Sequence, residues 1–373
     1  MVKETAKFIL PSSIKDVIFR YYRKFLDWIS PIASYSQITS QIYYILFSRA
    51  FAREQRATLY GKVKYRENIS NQSGDEKSTL LRRNTHRLEK GILMRPRRDV
   101  FALGYVEETV EEYCRRLQIL EDSSQSPNTG ELLWARDVLE TYFRVVEDHP
   151  VIKRARRVFQ KANEKSNIHN KVEKEDGRRA ELRSPYFRDI DYTPVDYNAL
   201  RELTIKRRSV RWFTEESVSR ETIDRAISIA LQAPSACNRQ PFEFRIYDNP
   251  ELVREIARLP GGTKGYAHNI PVIVVLVGRL RAYFDERDRH VIYIDASLAA
   301  MNFMLALETL GLSSCPINWP DVEQREKAMQ ETLNLEPDER PVMLLAVGHP
   351  DSDGMVAYSQ KKDLSRIRSY NKQ

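Results

Sequence analysis

From about residue 194 onward, the hydrophobic residues alternate between a helical spacing and an extended spacing. Apolar residues three and four positions apart from Ile223 to Leu231 predict an amphipathic helix. Ser219 is the expected N-cap of this helix, because a serine hydroxyl can accept a hydrogen bond from a free backbone amide. The helix should end near residues 233–234, where a proline follows an alanine.

Three strands and one long helix are expected after this point. Residues 242–246 alternate between apolar and polar side chains, whereas 272–277 and 342–347 are unbroken apolar runs typical of strands buried on both faces. Residues 294–310 are nearly all apolar and stop at Gly311. They predict a helix buried on all sides, either inside one domain or across a subunit interface. This part of the chain is therefore expected to be an α+β domain.

The first 160 residues show helical patterns only. Apolar residues at helical spacing over 14–29, followed by a second run over 42–51, indicate a helical hairpin among Lys and Arg. Such a hairpin could dock on its own domain or lie on an anionic membrane surface. Two more helices are expected around 106–120 and 132–146.

A polar segment separates these helices from the α+β domain. Residues 161–184 contain no aromatic side chain and are mostly charged or polar, which is typical of a linker or a solvated helix. We therefore divide the chain into three parts: a basic helical region over 1–160, a polar linker over 161–193 and an α+β domain over 194–373.

The net charge of +8 is concentrated at one end of the chain. Residues 1–100 hold 20 Lys and Arg against 9 Asp and Glu, so they carry +11 while the remainder carries −3. The most basic stretch, 80–98, could bind a phosphate, a polyanion or a partner, or could be a solvated helix face. It lacks the interleaved aromatic residues that single-strand binding uses, so no nucleic acid is expected as a partner.

The cysteines and the hydropathy pattern indicate a cytoplasmic protein, with peripheral membrane association as the alternative. Cys114, Cys237 and Cys315 form neither a C-x-x-C pair nor a group with His at metal spacing, so we expect neither disulfides nor a metal site. Charged residues interrupt the apolar positions near the N-terminus, and no stretch approaches the roughly 20 apolar residues that a bilayer crossing needs, so no membrane-crossing segment is expected.

Two short motifs have the chemistry of a ligand site. Arg207, Arg208 and Ser209 combine forked guanidinium donors with a hydroxyl, a set that suits a phosphate monoester, although a basic helix end would look the same. In an extended segment Ser209 and Arg211 would share one face, opposite Val210. The second motif is the 233–241 loop, whose small and polar residues would let a flat ligand approach the backbone; polar loops between a helix and a strand are also common without any function.

Taken together and in order, these motifs resemble the FMN-dependent nitroreductase family. The resemblance covers about residues 200–370. It rests on RRSVRWF at 207–213, APSACNRQPF at 233–242, NIPVIVV at 269–275, the apolar helix running into LGLSSCPI at 310–317, and VGHP at 347–350 followed by two lysines. It implies a nitroreductase-like fold with a central, mostly antiparallel sheet and long core helices.

The resemblance also implies a homodimer with two FMN sites at the subunit interface. Arg207, Arg208 and Ser209 would hold the FMN phosphate and ribityl chain, and Arg211 would lie beside the ring N1 and the C2 oxygen. The loop from the second chain would lie against the flavin, and a strand backbone would run past N5. The further positions carried over from the family are Pro234, Ser235, Asn238, Pro316, Ile317, Asn318 and either Lys361 or Lys362.

The expected activity is electron transfer from NADH or NADPH through FMN to a small organic acceptor, such as a nitroaromatic, a quinone or an enone-like compound, by a ping-pong mechanism. No side chain is expected to be catalytic, because the flavin itself transfers the hydride. Arg211 is expected to adjust the reactivity of the flavin by favouring its reduced state. Tyr266 and Trp319 are candidate substrate contacts, although Trp319 could equally be an ordinary core residue. The alternative is a dimeric flavin-fold scaffold whose basic N-terminal region binds an acidic partner or a membrane surface.

Overall fold

The computed structural model describes residues 12–48, 51–70, 78–122, 129–165, 183–187 and 194–372. The N-terminal half is helical, as expected. Its α-helices are α1 Ser12–Ala33, α2 Gln37–Tyr43, α3 Ala52–Ser70, α4 Ser78–Ile92, α5 Val106–Asp122, α6 Thr129–Val145 and α7 Pro150–Lys165. The predicted helices near 106–120 and 132–146 are confirmed as α5 and α6, and a π-helical turn, Tyr44–Ser48, follows α2.

Helices α4 to α7 have a hydrophobic core of their own. Tyr113 and Tyr142 are completely buried between them, and each phenol hydroxyl donates a hydrogen bond, to the Asn163 side chain and to the Phe101 carbonyl respectively. Burying two tyrosines is favourable only when their hydroxyls are paired, and here both are. The helical region is therefore a packed unit, not a set of isolated surface helices.

Helix α3 connects the helical region to the α+β domain. Gly61 lies so close to Leu280 that a β-carbon at this position would come within 2.8 Å of the leucine Cβ. Tyr60 donates a hydrogen bond to Glu336 at 2.9 Å, and Lys62 pairs with Glu286 at 2.8 Å. These contacts hold α3 against the end of the sheet where the strand Val272–Arg279 ends and the strand Glu339–Gly348 begins.

Most of the expected linker lies outside the described residues. Helix α7 extends to Lys165, and the short described piece 183–187 contacts the helical region: the Arg183 amide donates to Asp137, and Ser184 is buried.

The α+β domain has one four-stranded sheet, confirming the expected class. Its order is β1-β2-β4-β3, and every neighbouring pair is antiparallel. Its elements are α8 Tyr197–Lys206, α9 Arg220–Ala230, β1 Phe242–Tyr247, α10 Pro250–Arg258, β2 Val272–Arg279, α11 Val291–Thr309, β3 Ser313–Asn318, α12 Glu323–Leu333, β4 Glu339–Gly348 and α13 Leu364–Ile367. Ser219 occupies the N-cap of α9 but makes no side-chain capping bond.

Helices cover both faces of this sheet. Val272, Val274 and Leu276 of β2 pack with α9 and α11, whereas the alternate residues Ile273 and Val275 pack with α10 and α12. Because both faces of β2 are buried, its sequence is a continuous apolar run without polar alternation.

Helix α11 is not buried on all sides within one chain. Its sheet-facing residues are buried, but Ile294, Leu298 and Met301 are 50%, 42% and 38% exposed and form a stripe along the opposite face. Of the two alternatives from the sequence, burial within one domain is therefore wrong. By length and composition the stretch Glu286–Thr309 would suit a membrane span, but half of its most apolar stretch is buried in the domain, as in the core helix of a globular protein.

Several arginines of the basic stretch 80–98 make contacts within the protein. Arg87 lies over the Tyr105 ring at 3.7 Å, and Arg83 lies over the Phe284 ring and donates to the Tyr65 hydroxyl. Arg82 contacts the α+β domain. Helix α4 is therefore not simply a solvated basic face.

Candidate functional site

The arginine motif begins where α8 ends. Arg207 is the C-cap of α8 and has extended backbone angles, so the chain leaves the helix as a strand-like segment beside β3. The Val210 amide donates to the Ser314 carbonyl at 3.1 Å, and Ser209 and Ser314 form a parallel bridge. Val210 packs into the core, whereas Ser209 and Arg211 face the other way, as the alternation predicted.

These residues line an open cavity of about 250 Å³, which we call the anion cavity. The C-terminal tail supplies its opposite wall with Lys361, a tyrosine and serine hydroxyls, while Lys362 is not among the lining residues. Among the described residues, no carboxylate lines the anion cavity. The cavity is bounded by Arg207, Arg208, Ser209, Arg211 and residues 357–361.

Two buried polar atoms near the anion cavity have no hydrogen-bond partner among the described residues. They are Nε of Arg207 and Oγ of Ser314, the latter on a fully buried residue. A buried donor without a partner is unfavourable by about 1–3 kcal/mol, so such groups commonly belong to a ligand site. Sequence reasoning missed Ser314, because a serine in an apolar strand gives no local signal of a site.

Arg211 is supported by an aromatic ring and a backbone oxygen. Its guanidinium lies over the Tyr266 ring at 5.7 Å and donates to the Ser209 carbonyl at 3.2 Å. Burial raises the pKa of Tyr266 to about 12, so its hydroxyl stays protonated at neutral pH. The Tyr266 side chain is buried, with its hydroxyl 3.9 Å from the Cys315 sulfur. The Tyr266 ring thus supports the Arg211 guanidinium.

Strand β3 lies at the edge of the four-stranded sheet, and its side chains alternate between exposed and buried. Pro316 and Asn318 are exposed, while Ile317 between them is buried. Trp319 is 8% exposed and its indole N–H donates to Glu326 at 2.7 Å, which favours the core alternative over a substrate contact.

The 233–241 loop is held at the other end of α11. Ser235 donates to the Asp295 carboxylate at 2.8 Å and accepts from the Gln240 amide at 2.7 Å, so its hydroxyl is engaged within the chain. The Ala236 amide also donates to Asp295. Pro234 is exposed, and the Asn238 carbonyl accepts from Arg82.

The 233–241 loop and the arginine motif lie near opposite ends of α11. The loop is bound to Asp295, whereas Glu308, near the other end of α11, accepts from Ser313 beside the arginine motif. These two acidic residues are thirteen positions apart on α11. At 1.5 Å per residue the separation along the helix is about 20 Å.

Comparison with known proteins finds similarity to the α+β domain. Residues 205–264 and 259–349 match the family described as the nitroreductase family. Among curated relatives, iodotyrosine deiodinase 1 of Pongo abelii is 25% identical over 197 residues (44% of this chain, 66% of the relative). The iodotyrosine deiodinase of Thermotoga neapolitana is 28% identical over 194 residues (46% and 98%), and the FMN reductase (NADPH) of Bacillus subtilis is 28% identical over 163 residues (40% and 65%).

The chain thus spans about two thirds of the length of the Pongo and Bacillus relatives. Among solved structures, an FMN-dependent nitroreductase from Clostridium difficile R20291 matches with a TM-score of 0.40 and 24% identity, covering 46% of this chain and 98% of that one. The NfrA1 nitroreductase of Bacillus subtilis matches with a TM-score of 0.42 and 24% identity, covering 46% and 73%.

Glu308 gives a pH-dependent prediction for this site. Burial raises its pKa above the ordinary 4.5, although Ser313, Lys206 and Arg207 oppose the shift. The folded state therefore binds the proton at higher pH than the unfolded chain does. The associated stability is complete below the ordinary pKa and is lost as pH rises through the folded-state value.

We expect Glu308→Gln, which cannot ionise, to raise the melting temperature at about pH 7.5 and to change it little near about pH 4. Thermal melts across this range measure the effect. Glu331→Gln, at an exposed position on α12, is the control and should show no such trend. A difference between Glu308→Gln and the native protein that is the same at every pH would contradict the assignment.

Proposed function

We propose that the protein is a flavin-dependent oxidoreductase whose coenzyme is FMN, because its α+β domain matches the nitroreductase family over residues 205–264 and 259–349. The observation that carries the proposal is the anion cavity. It is lined by four cationic side chains, and one of them, Arg207, has a buried Nε that lacks a partner among the described residues. This donor set fits a phosphate monoester, and the volume suits the phosphate end of FMN rather than the whole coenzyme.

Each residue then has a distinct role. Arg207, Arg208 and Lys361 bind the phosphate, and Ser209 donates to the ribityl phosphate end. Arg211, supported by Tyr266, presents positive charge to the N1 and C2 oxygen side of the ring. FMN, when bound, supplies the hydride chemistry. A guanidinium at that edge favours the reduced coenzyme, because reduction accumulates negative charge there.

The electron donor in this proposal is NADH or NADPH, and the acceptor is a small nitroaromatic, quinone or enone-like molecule. Donor and acceptor use the same open face in turn, which gives ping-pong kinetics. Relatives named for iodotyrosine support adding iodotyrosine to the acceptors assayed. The exposed Pro316 and Asn318 of β3 flank this face, next to the backbone expected near N5.

We further propose a homodimer in which two α11 helices pack antiparallel. A two-fold axis near the middle of the Ile294, Leu298 and Met301 stripe would bring the 233–241 loop of one chain to the anion-cavity end of its partner. The exposed stripe supports this arrangement, because contiguous apolar surface on a helix is typical of an interface. The exposed side chains Leu364, Ile367 and Tyr370 of the tail would extend the same contact.

The first test distinguishes binding of the FMN phosphate from binding of the flavin ring. Arg207→Ala combined with Arg208→Ala removes two charged hydrogen-bonding groups worth about 1.5–3 kcal/mol each, so FMN should bind at least about a hundredfold more weakly. Riboflavin, which has no phosphate, should bind equally well to the variant and to the native protein. Fluorescence titration with both ligands measures this.

Arg220→Ala is the control for this test, since Arg220 is an exposed arginine of the same domain paired with Asp248. Equal losses for FMN and riboflavin would refute the phosphate assignment. A native protein that takes up no added FMN would refute the flavin proposal as a whole.

The dimer proposal is tested at the stripe on α11. Leu298→Lys places a charge at the centre of the proposed interface, where an unpaired ammonium is strongly unfavourable, so the protein should become monomeric and lose FMN affinity. Leu252→Lys is the matched control, because Leu252 is 41% exposed but lies on α10, on the opposite side of the sheet. Light scattering after size-exclusion chromatography gives the mass; a dimer that survives Leu298→Lys contradicts this interface.

A second candidate function concerns the hairpin formed by α1 and α2, which we propose binds an anionic membrane surface. Tyr21, Trp28 and Ile32 are each more than half exposed on α1, and Arg20 and Arg23 are exposed on the same helix. Aromatic and basic side chains together are typical of helices that lie in the membrane interface. The protein would then be cytoplasmic with peripheral attachment.

Vesicle flotation tests the second candidate. Vesicles of phosphatidylcholine with phosphatidylglycerol should carry the protein to the top of the gradient, whereas phosphatidylcholine alone should not, and salt should weaken the binding. Arg23→Glu and Trp28→Ala should each reduce flotation, while Lys327→Glu on α12 should leave it unchanged. Flotation that is equal for neutral and anionic vesicles would exclude charge attraction, and NADH oxidation with a test quinone distinguishes an enzyme from a non-catalytic scaffold.

A further inference from the structure

Arg82, in the helical region, reaches into the loop that the proposed function assigns to the flavin. Its three guanidinium nitrogens have three different acceptors: Nε donates to the Asn238 carbonyl at 3.0 Å, Nη2 to the Gln240 side chain at 3.1 Å, and Nη1 to Glu131 at 3.1 Å. We call this arrangement the Arg82 clamp. The guanidinium also lies over the Trp134 ring, 5.5 Å from its centre.

The loop held by the clamp has an unfavourable backbone. Cys237, Asn238 and Gln240 have φ values of 53°, 50° and 50°, in the left-handed region that residues other than glycine rarely adopt. Such conformations persist when surrounding contacts fix them, and they cluster at functional sites. Two of these three residues are the ones that Arg82 contacts.

The other contacts of the loop do not replace the clamp. Ser235 and Asp295 fix the start of the loop, and Arg239 lies over the Tyr283 ring at 4.7 Å. The Asn238 carbonyl and the Gln240 side-chain oxygen face α4. In the described part of the chain, Arg82 is the cation that holds these two acceptors.

The clamp comes from outside the family match. That match begins at residue 205, and the Thermotoga neapolitana relative is covered over 98% of its length by only 46% of this chain. That relative therefore has no length for a helical region of this size. In this chain the loop is contacted by a helix that lies outside the family match.

We propose that Arg82 is a positioning residue that sets the shape in which the 233–241 loop meets the flavin bound mainly by the partner protomer. This inference rests on the proposed function. Arg82 touches neither coenzyme nor substrate; it acts through Asn238 and Gln240. The helical region thereby controls the acceptor side of the flavin while leaving the phosphate side, at the other end of α11, unaffected.

The experiment uses the full chain and the conservative variant Arg82→Lys. Lysine keeps the positive charge next to the nearly buried Glu131 but cannot bond three acceptors in a plane, so the fold should be retained. Arg83→Lys is the matched control: it is the next residue of the same helix, and it contacts Tyr65 and Phe284 instead of the loop.

The first measurement is hydrogen exchange in flavin-free protein. The Asn238 and Gln240 amides donate to the Ser235 carbonyl and hydroxyl within the loop, so they report on its shape. In Arg82→Lys they should exchange about tenfold faster, the change expected when one charged hydrogen bond is lost. Arg83→Lys should exchange like the native protein. Unchanged exchange in Arg82→Lys overturns the clamp.

The second measurement separates positioning from a purely structural role. With FMN bound, Arg82→Lys should raise the KM for a test quinone about tenfold with kcat within about twofold, and should shift the visible absorption maximum of the flavin. FMN affinity should stay within about threefold, because the anion cavity is distant. Faster exchange with an unchanged spectrum and KM overturns the positioning role.

The two proposals fail separately. Native protein that takes up no FMN overturns the proposed function. Faster loop exchange in Arg82→Lys of that same flavin-free protein still supports the clamp, because that measurement involves no coenzyme.

Discussion

The position of helix α11 between the sheet and an exposed apolar face determines the arrangement of the α+β domain. One side of α11 is buried against β2 and β4. Its Asp295 accepts hydrogen bonds from the 233–241 loop, and its Glu308 accepts one from Ser313, the neighbour of the Ser314 that pairs with the arginine segment. A straight helix fixes this separation at about 20 Å. The two motifs therefore lie near opposite ends of α11, and the other side of this helix carries the exposed apolar stripe on which the proposed dimer depends.

The local charge at the anion cavity matters more than the charge of the chain. Residues 1–100 carry the excess of basic residues, yet the cavity lies in the part whose summed charge is slightly negative. Its four cationic side chains line one cavity of about 250 Å³, whereas the field of more distant charges weakens over a Debye length of about 8 Å at physiological salt. Conversely, Arg83 and Arg87 of the basic helix α4 stack on aromatic rings inside the molecule. Charge counts over long segments thus indicate little about where an anion binds.

The features predicted correctly from the sequence are those with a local cause. The alternation of Val210 and Arg211 about an extended backbone follows from period two, and the strands β2 and β4 follow from unbroken apolar runs. The placement of α11 could not be predicted, because an all-apolar helix looks the same whether a sheet or a second chain covers its outer face. The Trp319–Glu326 hydrogen bond could not be predicted either. Nothing in the local sequence distinguishes a tryptophan paired in the core from a tryptophan that contacts a substrate.

The Arg82 clamp could not be predicted from the sequence, because it joins residues 156 positions apart. Its energetics are nevertheless simple. Left-handed conformations cost roughly 1–2 kcal/mol per residue outside glycine, less for asparagine, so the three residues together are unfavourable by a few kcal/mol. Hydrogen bonds to a charged group contribute about 1.5–3 kcal/mol each. Two such bonds from Arg82 are of the size needed to offset the loop's cost, and that balance explains how a helix outside the flavin fold can determine the backbone of a loop within it.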